Sequence, residues 1–140
     1  MSNKLMFYLL PFDPQVMKDA KIRLPINLSD FIEHLQKDFS TGKVTVDKLG
    51  EQTVIGLYIT TEKNEPWVVA NLTSKDNTVL EISGWPKGLA KKLILWYRQY
   101  IDKQYPLFLV VSFNGNVHEL TEQTSPEDIE SLYPYPVPED

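Results

Sequence analysis

The chain has 140 residues, no cysteine, 14 Lys and Arg against 19 Asp and Glu, and a formal net charge of −5. That length suits one domain burying roughly two-thirds of its unfolded surface, and 42% hydrophobic with 24% charged residues is a globular rather than a disordered balance. Without thiols there are no disulfides, thiolate metal ligands or cysteine nucleophiles. The acidic balance also argues against non-specific nucleic-acid binding, which needs a basic surface.

The apolar run Leu5–Leu10 is closed by Pro11 and lacks a small-residue cleavage site, so it reads as a buried strand (Lys4–Leu10) rather than a secretory signal. No stretch approaches the ~20 apolar residues of a membrane span. A cytoplasmic protein without membrane attachment is the expectation. The following stretch to Pro25 reads as a loop anchored by Val16, Met17, Ile22 and Leu24, with Arg23 pointing away from them.

Asn27 is an N-cap, with Asp30 three residues on as an acidic form of the capping box. Leu28, Phe31, Ile32, Leu35 and Phe39 recur at helical spacing, and Gly42 suits the residue beyond the helix end. From Lys43 the period falls to two. Strands are expected at Val44–Val46, Thr53–Thr61, Trp67–Thr73 and Thr78–Ser83, joined by polar turns as a meander. Gly56, in mid-strand, suggests a bulge or a close backbone approach.

The longest helix is expected over Pro86–Tyr105. Gly84 frees the turn before it, Pro86 fits its first turn, and Pro106 ends it. Leu89, Leu93, Ile94, Trp96, Tyr97, Tyr100, Ile101 and Tyr105 share one half of its wheel, with Leu93 and Tyr100 near the centre. Lys91, Lys92, Arg98, Gln99, Asp102 and Lys103 share the other half, with Leu95 isolated among them. Beyond it, Leu107–Phe113 and Val117–Leu120 flank Asn114-Gly115, a strong two-residue hairpin signal. Ser125-Pro-Glu-Asp then opens a short helix reaching about Tyr133.

These elements give an α+β domain over residues 1–133 in the order β-α-β-β-β-β-α-β-β-α. An antiparallel sheet of six or seven strands carries its helices mainly on one face. Residues 134–140 form an extended, proline-spaced acidic tail.

Catalytic signatures are few. His34 falls with the polar residues of its helix and reads as a surface histidine. His118 falls on the strand face of Leu109, Val111 and Leu120 and reads as a packed one. They lack metal-ligand spacing, and no metal or cofactor is expected. No serine-nucleophile motif occurs, and Gly84-Trp-Pro-Lys-Gly lacks the second half of a phosphate loop.

Charge is lopsided. From Lys87 to Lys103 there are five bases and one acid, and beyond Lys103 seven acids and no base. The first functional reading is therefore a non-enzymatic protein-binding domain, an inhibitor or immunity-type partner of a basic protein. Glu127, Asp128 and Glu130 would face outward to steer it. Trp85, in its turn, and Leu95, rimmed by Lys91 and Arg98, are candidate interaction residues. The alternative is a small enzyme or ligand-binding protein with a pocket between helix and sheet near His118.

Overall fold

The computed structural model describes residues 6–18, 20–39, 43–49, 52–58, 68–73, 77–84, 87–112 and 115–132. Trp85, Gly42, Asn114 and the acidic tail lie outside the described residues.

Seven strands are β1 (Met6–Leu10), β2 (Lys43–Leu49), β3 (Gln52–Tyr58), β4 (Val68–Thr73), β5 (Val79–Gly84), β6 (Leu107–Val111) and β7 (Val117–Leu120). Three helices join them: α1 (Leu28–Asp38), α2 (Lys87–Tyr100) and α3 (Pro126–Glu130). All strand pairings are antiparallel, in the order β2-β3-β4-β5-β1-β6-β7. The expected meander is β2 through β5. β1 inserts between β5 and β6 and pairs with both, Leu9 lying opposite Leu80 on one side and Leu109 on the other. Since β5 and β6 both run against β1, they run parallel to each other, and α2 supplies the crossover that parallel strands require.

Alternation along the strands decides which face is covered. Phe7, Leu9, Leu80, Ile82, Leu107, Leu109 and Val111 are buried, and their neighbours in sequence on β1, β5 and β6 are partly exposed. The buried set forms one core with Phe31 and Leu35 of α1, with Ala90, Leu93, Ile94 and Tyr97 of α2, and with Ile129 of α3. All three helices therefore pack on the same side. Tyr8, Phe108, Val110 and Val117 lie on the opposite face.

Several local expectations are corrected. Gly56 makes no bulge: it sits opposite Thr45 and Val69 in an uninterrupted one-to-one register. Val16 and Met17 are not anchors, being 76% and 46% exposed. Their loop is fixed instead by Asp13, whose carbonyl accepts from both of their amides, and by stitches to the start of β5. There, Leu24 N–H donates to Thr78 Oγ1 (2.7 Å) and Thr78 N–H donates to the Ile22 carbonyl (2.9 Å).

The β6–β7 connection is wider than a two-residue turn. The Val111 carbonyl accepts from Gly115 N–H (2.8 Å), Val111 N–H donates to the Asn116 carbonyl (3.1 Å), and regular pairing resumes at Val110 and Val117. Gly115 has φ +71°, the left-handed region expected of it.

Helix α2 stops at Tyr100, five residues before the expected end. Its buried arc is Ala90, Leu93, Ile94 and Tyr97, continued beyond the helix end by Ile101, so Tyr100 lies at the edge of the arc and only partly buried. Arg98 departs most from expectation. Placed on the polar half by the wheel, it is 5% exposed. Its guanidinium donates to the carbonyls of Ile101 (3.1 Å), Asp102 (3.0 Å) and Tyr105 (3.0 Å). One planar cation thus ties down the turn that follows α2, where Tyr105 N–H also donates to the Asp102 carbonyl (3.0 Å).

Candidate functional site

Helices α1 and α2 run antiparallel across the sheet and meet through aromatics. Phe31 sits edge-on to Trp96 (5.3 Å), Tyr97 (6.3 Å) and Tyr100 (5.3 Å) between ring centroids. Trp96 and Tyr100, one turn apart, stack with centroids 5.2 Å apart and planes 15° apart. Above this contact is an open groove of about 670 Å³, lined by Asp30, His34 and Asp38 of α1, Trp96, Gln99 and Tyr100 of α2, and the loops around Pro25 and Asp102–Tyr105.

Asp30, His34 and Asp38 are four residues apart, so they form one stripe along α1. The facing aromatics hold its two ends. Tyr100 O–H donates to Asp30 Oδ2 (2.7 Å) and Trp96 Nε1–H donates to Asp38 Oδ2 (2.7 Å). Between them, His34 Nδ1 lies 2.9 Å from the Asp30 carbonyl oxygen and 3.3 Å from Asp30 Oδ1. Two acceptors at Nδ1 place a proton there and leave Nε2 as the second ring nitrogen. The Tyr100 ring stands edge-on to the imidazole at 5.7 Å.

Asp30 therefore does not complete the expected capping box. Asn27 Oδ1 accepts from Asp30 N–H (3.0 Å) as an N-cap, while the Asp30 carboxylate is turned across the groove to Tyr100. Partial burial, then the hydrogen bond and charge of Asp30, push the Tyr100 phenol well above its ordinary pKa. The sign is that of a raised pKa: the contribution to stability is complete below the phenol's unfolded pKa and is lost as pH rises through the folded one. Tyr100 is thus a hydrogen-bond donor throughout the neutral range.

The charge of this groove is one-sided. Three carboxylates and one imidazole line it, and no Lys or Arg is among the lining residues. Carboxylates beside aromatic faces offer a cation both Coulombic attraction and ring-quadrupole contact. Among the described residues, no group of three His, Asp or Glu has a metal-binding arrangement, and no helix is long and apolar enough to cross a membrane.

The residues singled out in the sequence lie elsewhere and do not converge. Lys91 pairs with Glu130 (3.3 Å), joining α2 to α3. Glu122 approaches Lys103 to 4.0 Å. The expectation that the carboxyl-terminal acids all face outward is thereby corrected, because α3 packs beside α2 and brings opposite charges within reach. Asp128 is occupied locally: Ser125 N–H donates to Asp128 Oδ2 (2.8 Å) and Asp128 N–H to Ser125 Oγ (3.2 Å), a complete capping box. The Ser125 N–H, and after it the hydroxyl, holds the Asp128 carboxyl below its usual pKa. Glu127 is exposed on the same short helix. Leu95 is partly buried against the core, so with Arg98 buried and Lys91 paired, the expected leucine in a free basic rim is not formed.

His118 is partly buried opposite Leu109. It borders a hollow of about 300 Å³ between β7 and α3, with Thr124, Asp128, Ser131 and Leu132. This hollow is smaller than the α1–α2 groove, and of its two carboxylates, Glu119 and Asp128, the second is already engaged by the helix cap.

His34 was legible as a polar helix position, while Asp38 was not singled out. The convergence of His34 and Asp38 with Trp96 and Tyr100 was not legible, since it depends on α1 and α2 packing antiparallel with these turns aligned. A usable signal was the i, i+4, i+8 recurrence of Asp, His and Asp, opposite a helix carrying aromatics at i and i+4.

The chain matches no known protein-family model, and no curated protein matches it.

Proposed function

We propose that this chain is a non-enzymatic protein-binding domain that engages a basic segment of a partner through the α1–α2 groove. The observation that carries the reading is the groove itself: about 670 Å³, walled by the stacked Trp96–Tyr100 pair and the carboxylates of Asp30, Asp38 and Asp102, with no Lys or Arg among its described lining residues. An acidic chain in an inhibitory or immunity-type role would steer a basic protein to such a surface. The groove replaces the carboxyl-terminal acids as the proposed contact, because Asp128 and Glu130 already have partners within the fold.

Calorimetric titration with an arginine-containing peptide tests this. Binding should weaken with added salt and should fall on substituting Asp30→Asn together with Asp38→Asn. Replacing Glu127 by Gln should leave it unchanged. Binding that survives the double substitution and is lost with Glu127 would return the site to the carboxyl-terminal segment.

A further inference from the structure

The α1 stripe specifies more than the sign of the ligand's charge. Asp30 and Asp38 are eight residues apart on one helix, which sets them about 12 Å apart along its axis at 1.5 Å per residue. Each carboxylate is held by a rigid aromatic donor from the opposite helix, Asp30 by Tyr100 and Asp38 by Trp96, at 2.7 Å in both cases. A carboxylate has two oxygens with several acceptor directions, so these bonds, with His34 Nδ1 a further 3.3 Å from Asp30 Oδ1, orient each group and leave acceptor capacity for a cationic donor. His34 stands between the two carboxylates and faces the same groove. A cation seated midway would meet the imidazole rather than a carboxylate.

Resting on the proposed reading of the groove, we infer that it recognises a polypeptide segment bearing two cationic side chains about 12 Å apart, with an uncharged position between them. The guanidinium is the better fit of the two natural cations, since it forms charge-assisted bonds to carboxylate and lies flat on aromatic rings. In an extended segment, the spacing corresponds to residues i and i+4, about 13 Å at 3.3 Å per residue. Binding both ends at once makes the second contact intramolecular, and the affinity then depends steeply on whether the spacing matches.

The test uses the full chain and three uncharged-background peptides: one Arg, two adjacent Arg, and two Arg separated by three Ser. The two-Arg peptides have the same charge, so bulk attraction does not distinguish them. The separated pair should bind at least ~10-fold more tightly than the adjacent pair. Either Asp30→Asn or Asp38→Asn should bring it to the single-Arg level. Asn keeps an acceptor for Tyr100 or Trp96, and far-ultraviolet circular dichroism confirms that each variant is folded. Equal affinity for separated and adjacent pairs would overturn the spacing while leaving the groove as a cation site. No binding of any peptide would overturn the groove reading and this inference with it. Binding of 1,8-diaminooctane as tight as that of the separated peptide would identify a free small dication, and overturn recognition of a polypeptide.

Discussion

The two acidic regions of this molecule use their carboxylates in different ways. At the carboxyl-terminal end, Asp128 closes the cap of α3, Glu130 pairs with Lys91 across to α2, and Glu122 lies 4.0 Å from Lys103. In the groove, Asp30 and Asp38 are held by neutral donors, a phenol and an indole. A neutral donor orients a carboxylate without cancelling its charge, whereas a cation cancels it. At the carboxyl-terminal end Glu130 and Glu122 face lysines, whereas Asp128, like the groove pair, is held by neutral donors.

Both regions depend on α2, and disrupting its packing should have the largest effect. Leu93 is 1% exposed, and Leu93→Ala should cost about 2–5 kcal/mol in chemical denaturation. Lys92→Ala, at an exposed position whose Nζ lies 4.8 Å from the centre of the Phe39 ring, should cost no more than about 1 kcal/mol. Equal losses would mean that α2 does not anchor the two regions as described.

Arg98 comes next. Removing its guanidinium takes the side-chain donor from the Ile101 and Tyr105 carbonyls beyond α2, while the Asp102 carbonyl keeps the Tyr105 N–H, so Arg98→Ala should cost about 2–3 kcal/mol. Burial lowers the Arg98 pKa from its ordinary value, against the attraction of Glu122, Tyr97, Asp102 and Glu119, and the group stays charged at neutral pH. Thermal denaturation of Arg98→Ala that matched the unsubstituted chain would contradict its role as the clasp beside the groove.

Ser125→Ala separates the regions directly. Loss of the cap should cost about 1 kcal/mol and leave peptide binding in the groove intact. The Asp128 pKa is depressed, so its contribution is present above the unfolded carboxyl pKa and is lost as pH falls through the folded one. Acid titration of Ser125→Ala should show that component reduced but not abolished, because the Ser125 N–H, which survives the substitution, is its larger cause. A loss of groove binding in this variant would show the two regions to be coupled.

Smaller effects sharpen the contrast further. Lys91→Ala removes a partly exposed ion pair and should cost no more than about 1 kcal/mol. Tyr97→Phe should be neutral or slightly stabilising: the Tyr97 ring is fully buried, and its hydroxyl finds no hydrogen-bond partner among the described residues. A clear destabilisation by Tyr97→Phe in denaturant would mean that the hydroxyl has a partner after all.

Element type was legible where period and caps agreed. Asn27 and Ser125 both cap the helices they were expected to cap, and Leu28 to Phe39 set the buried stripe of α1. The α+β class followed from counting such elements. The insertion of β1 between β5 and β6 was not legible, because strand order is decided by contacts between residues far apart in sequence. The fate of Arg98 was hidden for a related reason. A helical wheel gives an angle but not what lies beyond the helix end, and there the carbonyls of the following turn draw the guanidinium out of solvent. Tyr100 was hidden differently: its ring belongs with the core, while its hydroxyl belongs with Asp30 seventy residues earlier.

The central claim is that the groove, and not the carboxyl-terminal acidic segment, receives a basic partner. Two-dimensional amide NMR during titration with the separated two-Arg peptide tests it most directly, with the Trp96 indole signal assigned through Trp96→Phe. The account predicts saturable shifts of the Trp96 indole N–H, which is bonded to Asp38, and of the amides from Asp30 to Asp38. Shifts confined to Glu119–Glu130, with the Trp96 indole unmoved at saturation, would contradict it.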